Sequence, residues 1–359
     1  MKEYFSHKWG FLCKFFLSLF LIISFTNVYT QNLNAGARPE RSESVPAAIT
    51  SQANPFSEAQ LPNESSNLEI NYAEGLYDHI EPSAEPSRAE TVLRAIEVAY
   101  PDKIRAVEFY EGDWTIIVYS ERFYWAEGRL LPASLRDRVN EFSPLPFYNY
   151  PSELPPWVDS TPEESERMRE QMLRRQDRSR PVIGRSPHFF DALWRSRNRD
   201  EAWEKVKTIR FLGRNVTVHY SILVQLSLVE QQILRAARNS SEIRSWIDGL
   251  QVSEGWVWRD IAQTQNRSFH AYGIAVDLLP TNLRGLQTYW LWSSQHTGEW
   301  WNIPYTRRYH PPEEVIRIFE SLGFVWGGKW RYFDTMHFEY RPEVIVLSGI
   351  PLMDLRDRD

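Results

Sequence analysis

Between residues 31 and 87 this chain has no tryptophan and only scattered apolar residues among many Pro, Ser, Asn, Glu and Ala. Such a stretch cannot bury enough apolar surface to offset the entropy of ordering it. It reads as a disordered spacer, so a folded body has to be built from residue 88 onward. Material for a core is plentiful there, since the 359 residues include 15 Trp, 17 Tyr and 19 Phe. Ahead of the spacer, Phe11–Phe25 is almost wholly apolar, broken by Lys14 and preceded by Lys2 and Lys8. It is shorter than the roughly 20 residues a membrane span needs. The layout is that of a secretory signal peptide over residues 1–30. The expected destination is the periplasm or cell envelope, with no stable membrane insertion beyond the signal segment; retention of that segment as an anchor is the alternative.

Cys13, the single cysteine, lies inside this apolar run. The body of the chain therefore has no disulfide framework, no thiol catalysis and no cysteine-based zinc site. Lys and Arg total 41 against 47 Asp and Glu, a formal charge of −6. A balance this acidic gives no general attraction for nucleic acid or anionic membrane surfaces.

Periodicity divides the body. Ala89–Tyr100 has helical spacing, with Ser87 as its cap. Ile104–Tyr110 and Trp114–Ser120 read as a hairpin around Glu111-Gly112-Asp113, and Arg122–Ala126 adds a third strand. Residues 143–160 read as an ordered loop, and Thr161–Gln176 as a highly charged, solvated helix. This unit, 88–208, is small and α+β, and no chemistry is evident in it. Residues 209–349 form a second unit. It holds a strand at Asn215–Tyr220, helices at Ile222–Arg238 and Glu242–Leu250, and a strand at Gly255–Arg259. A tail, 350–359, follows.

Chemistry concentrates in two stretches, Ser268-Phe269-His270-Ala271-Tyr272-Gly273-Ile274-Ala275-Val276-Asp277 and Phe333-Asp334-Thr335-Met336-His337-Phe338-Glu339-Tyr340. His270 and Asp277 would be about 23 Å apart in a continuous strand and about 10 Å apart in a helix. Neither lets both bind one ion. A turn at Gly273 does. Beyond the turn, Ile274–Leu279 alternates, with Ala275 and Asp277 on one face. In the second stretch Thr335, His337 and Glu339 share a face, opposite Met336, Phe338 and Tyr340. Two imidazoles and a carboxylate make a three-ligand set for catalytic zinc, with the fourth position left to water. A further carboxylate must take the proton, and Asp334 and Glu339 are the candidates.

At these residues the sequence resembles the bacterial zinc D-alanyl-D-alanine carboxypeptidases and dipeptidases and the related L-alanyl-D-glutamate endopeptidases. Their pattern is Ser-x-His-x-x-Gly-x-Ala-x-Asp, then an acidic residue three before a His. Gly323-Phe324-Val325-Trp326-Gly327-Gly328-Lys329-Trp330 is similar to the lead-in of the endopeptidase branch. The resemblance spans about residues 215–342. It implies a small antiparallel sheet with flanking helices, shared with the hedgehog signalling domain. It implies Zn2+ held by His270, Asp277 and His337, with Asp334 as general base. It also implies an arginine on the strand before the first motif, for which Arg259 is the match, and a substrate-orienting role for Ser268, which otherwise reads as a turn-capping hydroxyl. The implied activity is hydrolysis of amide bonds in peptidoglycan stem peptides, of endopeptidase or carboxypeptidase type. The competing reading is a zinc-containing cell-wall binding module without turnover. Between the motifs, Tyr289-Trp290-Leu291-Trp292 and Glu299-Trp300-Trp301, with Arg307 and Arg308, read either as a cleft wall or as a loop packed on the domain. His296 and His310 read as surface residues.

Overall fold

The computed structural model of the protein describes residues 85–176 and 183–353. The export segment, nearly all of the spacer and the end of the tail lie outside the described residues. No helix among the described residues is long and apolar enough to cross a membrane.

Helix α1 (Glu85–Ala99) buries Ala89, Val92, Leu93 and Ile96, one apolar stripe at helical spacing. It begins ahead of Ser87, which lies within the helix. Strands β1 (Ile104–Tyr110) and β2 (Asp113–Val118) form a hairpin with Tyr110 opposite Asp113. Its two turn residues, Glu111 and Gly112, have φ of 51° and 81°, the mirror-image turn whose twist suits a tight hairpin. Strands β3 (Glu121–Tyr124) and β4 (Leu131–Pro132) complete a sheet in the order β1-β2-β3-β4. The segment 143–160 is loop. Helix α2 (Pro162–Gln176) carries the expected charges but is not solvated all round, because Met168 is buried against a tryptophan cluster.

Helices α3 (His188–Trp194) and α4 (Arg199–Lys205) lead to the hairpin β5 (Val206–Phe211) and β6 (Arg214–His219). Helices α5 (Leu223–Ala236) and α6 (Ser241–Gly249) follow. The second four-stranded sheet then starts with β7 (Leu250–Glu254) and β8 (Ala275–Pro280). After short helix α7 (Trp290–Ser293) and helix α8 (Glu313–Ser321) come β9 (Phe324–Trp326), β10 (His337–Tyr340) and helix α9 (Pro342–Leu347). The sheet order is β7-β8-β10-β9, antiparallel throughout. The fold is α+β, built from small antiparallel sheets with flanking helices.

One apolar core joins these parts. Leu93, Ile96, Ile116 and Val118 from the first part belong to the same cluster as Val276, Phe319, Phe324 and Phe338 from the second. Phe319 stacks on Phe338 with ring centroids 4.0 Å apart. Each fully buried side chain of this kind stabilises the fold by about 1.5–3 kcal/mol. Helix α1 also lies on α9. The boundary expected at 208/209 therefore separates segments that share a core.

The strand expected at Gly255–Arg259 does not form. The strand runs one step earlier, as β7, and ends at Glu254. At Gly255 the chain presses so closely on β6 that an added Cβ would sit 2.1 Å from the Thr217 carbonyl oxygen. The Trp256 N–H donates to that same carbonyl at 2.6 Å. This long-range contact takes the backbone out of the sheet despite the strand-like composition of Trp256, Val257 and Trp258.

Candidate active site

Register places the first two site residues. Asp277 on β8 lies directly opposite His337 on β10, and Ala275 lies opposite Glu339. Side chains paired in this way stand about 5 Å apart. His270 comes from outside the sheet, on the short 3-10 helix Phe269–Tyr272. Ser268 caps that helix, its Oγ accepting from the His270 N–H at 3.3 Å. Gly273 ends it with φ of 72°, a left-handed turn that sends the chain back into β8.

His270, Asp277 and His337 each bring one ligand atom to within 4.8 Å of the others. Nε2 of His270 is 3.2 Å from Asp277 Oδ1 and 3.2 Å from His337 Nδ1. Nδ1 of His337 is 2.9 Å from the same carboxylate oxygen. The other ring nitrogens are already committed. His270 Nδ1 is 2.6 Å from the Gly255 carbonyl and donates to it. His337 Nε2 is 3.1 Å from Glu339 Oε2 and donates there. In their neutral forms the two rings therefore turn lone pairs toward each other and toward a carboxylate. Ligands about 2.05 Å from a tetrahedral centre would be spaced about 3.3 Å apart. The observed spacings and the nitrogen-and-oxygen donor set fit a single divalent cation, with both imidazole tautomers fixed from behind.

Electrostatics follow from this crowding. Burial works against a charge on His337, but the hydrogen bonds and charges of Asp277 and Glu339 outweigh it and hold the imidazole well above its ordinary value. Burial would raise Asp277, yet the two histidines hold it well below the usual carboxylate range. Asp334 goes the other way. Burial, then the nearby Asp277 charge, push it up to about 7 against the opposing pull of His337 and Arg259. Its Oδ1 is buried and has no hydrogen-bond partner. Its backbone N–H donates to Gly327 O at 3.0 Å, which fixes the turn that carries it.

These four side chains line one cleft of about 400 Å³. Arg259 lines it too, but as an exposed residue beyond the end of β7 and not on a strand. Ser268 also borders the cleft, and its observed bond is the helix cap. Glu339 is not free to act as a base, since Oε2 takes His337 Nε2–H and Oε1 takes Arg341 Nη1 at 3.3 Å.

The aromatic insertion divides. Tyr289, Trp290 and Trp292 line the cleft, together with Trp330 and Tyr332. Trp300 and Trp301 do not line it but are buried behind, packed against Trp290, Tyr332 and Phe333. Arg308 is buried rather than poised for substrate: its Nε donates to Ile303 O at 2.8 Å and its guanidinium lies 4.2 Å from the Phe333 ring centre. His310 is half-buried and not a surface residue, with Nε2 at 3.1 Å from Tyr305 O, whereas His296 is exposed. The part of the chain before residue 209 adds Tyr148, Arg175 and Arg185 to the cleft lining. Nothing in their sequence context points to that placement.

Residues 262–340 match the family model described as D-alanyl-D-alanine carboxypeptidase. The matched span contains His270, Asp277, Asp334 and His337 and stops short of Arg259. It supports the broad peptidase family without singling out a member. Residues 92–147 match a domain of unknown function, DUF8518. No curated protein and no solved structure matches the chain.

Proposed function

We propose that this protein is an exported zinc metallopeptidase that hydrolyses amide bonds in peptidoglycan stem peptides. The observation that carries this reading is the convergence of His270 Nε2, Asp277 Oδ1 and His337 Nδ1 beside the unpartnered carboxyl oxygen of Asp334. Export rests on the apolar N-terminal segment Phe11–Phe25. Zn2+ bound by the three ligand atoms supplies a Lewis acid that acidifies water and polarises a carbonyl.

The chain's own residues do the rest. Asp334 Oδ1 accepts a proton from the attacking water as the carbon–oxygen bond forms. It then returns a proton to the amine as the carbon–nitrogen bond breaks. A single carboxylate beside both reacting atoms can serve both steps. Arg259 offers a positive charge to the oxygen that becomes anionic.

Asp334→Asn tests this. It should cut hydrolysis of purified muropeptides by roughly 10²–10⁴-fold while Zn2+ uptake persists. If the unaltered chain and the variant both take up Zn2+ and are equally inert on every cell-wall substrate, the site is a binding module instead. The masses of the released fragments identify the bond. Trp326-Gly327-Gly328-Lys329-Trp330 and the His337-Phe338-Glu339 context lean toward the endopeptidase branch, whereas the matched family description is carboxypeptidase.

A further inference from the structure

We propose that Glu339, Arg341, Glu343 and Tyr100 form a positioning relay for His337, so that the segment of unknown function is a structural part of the cation site. The inference rests on the cation reading above. His337 and Glu339 alternate along β10 and so share a face, and Arg341 follows one residue beyond the strand, at the start of α9. Glu339 divides its carboxylate between His337 Nε2–H at 3.1 Å and Arg341 Nη1–H at 3.3 Å. The Arg341 guanidinium is fully buried and commits its whole fork: Nη1 to Glu339, Nε to Glu343 and Nη2 to the Pro146 carbonyl at 2.8 Å. Tyr100, at the end of α1, donates its hydroxyl to the second Glu343 oxygen at 2.6 Å. Tyr100 and Pro146 both fall inside the segment 92–147.

Two features set this chain of bonds apart from ordinary core polarity. Two carboxylates face one guanidinium, which leaves one negative charge in excess within the relay itself. An uncompensated buried charge is strongly destabilising unless another group answers it, and on the side of the cleft the excess meets the imidazole of His337. The second feature is rigidity. Every carboxylate oxygen in the relay has a partner, so Glu339 is clamped in the orientation that keeps the proton on Nε2 and, once a cation has displaced the proton on Nδ1, turns the Nδ1 lone pair toward Asp277 and His270. A carboxylate behind a ligating imidazole both fixes the tautomer and raises basicity. Arg341 in turn lies near the Phe269 ring, 4.6 Å from its centre, which ties the relay to the helix that carries His270.

The test uses the full chain and Zn2+ alone, with affinity measured by chelator competition at fixed pH and 25 °C. Glu339→Gln should weaken Zn2+ binding roughly 10–100-fold. Tyr100→Phe keeps the ring and removes only the hydroxyl, and should weaken binding by a smaller factor. Tyr150→Phe serves as the control, because that buried tyrosine bonds to Glu320, outside the relay. It should leave the affinity unchanged. Nitrogen NMR of His337 in the Zn2+-loaded chain should report the proton on Nε2, and a mixture of tautomers in Glu339→Gln. If Tyr100→Phe and Tyr150→Phe have equal effects, or Tyr100→Phe has none, the relay is wrong even though Zn2+ binds. If the unaltered chain takes up no Zn2+, the cation reading falls and the relay with it. Should Glu339→Gln fail to fold, Tyr100→Phe against its control still decides the matter.

Discussion

The floor of the cleft and its aromatic wall are both rich in rings, yet they are held by different rules. On the floor, strand pairing puts Asp277 opposite His337, and one left-handed glycine delivers His270. Each placement follows from a register or a turn. The wall has no such frame. Trp290 stands where it does because Trp300 and Tyr332 lie against it, each with its ring centre 4.9 Å away, and because Met168 of the distant helix α2 closes the cluster. The position of the chemistry is thus fixed locally, while the shape of the space around it depends on contacts that span the chain.

Two substitutions set this contrast at its sharpest. Asp277→Ala removes the ligand oxygen shared by both histidines. Zn2+ affinity should fall by more than the roughly 100-fold typical of changes behind a ligand, while tryptophan fluorescence keeps its folded spectrum. Trp300→Ala should do the reverse. It opens a cavity in the wall cluster and should lower unfolding free energy by about 3–5 kcal/mol in denaturant titration, leaving the Zn2+ affinity of the folded fraction as it was. Loss of affinity in Trp300→Ala would mean that the floor leans on the wall, and the two rules would merge into one.

The same contrast explains which parts were legible in the sequence. Alternation reveals a strand face, so Asp277, His337 and Glu339 were legible, and the need for a turn at Gly273 followed from a distance that no regular element can close. The spacing Ala89, Val92, Leu93, Ile96 announces α1 in the same way. What stayed hidden depends on partners far along the chain. Trp256, Val257 and Trp258 have strand-like composition, and only the approach of Gly255 to Thr217 shows why they leave the sheet. Trp300 and Trp292 are the same residue type in one insertion, and only the fold buries the former and leaves the latter 47% exposed. Nothing near Tyr100 points to Glu343, because their meeting is a product of α1 lying on α9.

A smaller effect concerns protons. Without a cation, the raised His337 keeps a proton between itself and Asp277, and a cation has to displace it. With His337 above its ordinary 6.5 and Asp277 below its ordinary 3.8, this pair stabilises the cation-free protein fully between those two pH values. Its contribution fades as pH rises through the raised value. Zn2+ affinity should therefore rise with pH, by up to about tenfold per unit while one proton is displaced. Thermal melts with and without Zn2+ should diverge as pH increases. Equal shifts at every pH would place no proton on Nδ1 and would weaken the case that the floor is built from converging lone pairs.

The mildest perturbation is at Trp292, which lines the cleft yet is 47% exposed. Its ring meets Tyr289 edge-on at 5.6 Å and does not join the buried cluster behind the wall. Trp292→Ala should therefore alter stability by only about 0.5–1 kcal/mol, in contrast to Trp300→Ala. If the ring touches a part of the substrate away from the reacting bond, that contact is as strong in the ground state as in the transition state. Its loss should then raise KM several-fold and leave kcat unchanged. A fall in kcat at constant KM would instead put Trp292 against the reacting groups. The wall would then share in positioning the scissile bond, and the division between a locally fixed floor and a globally fixed wall would fail where it matters to catalysis.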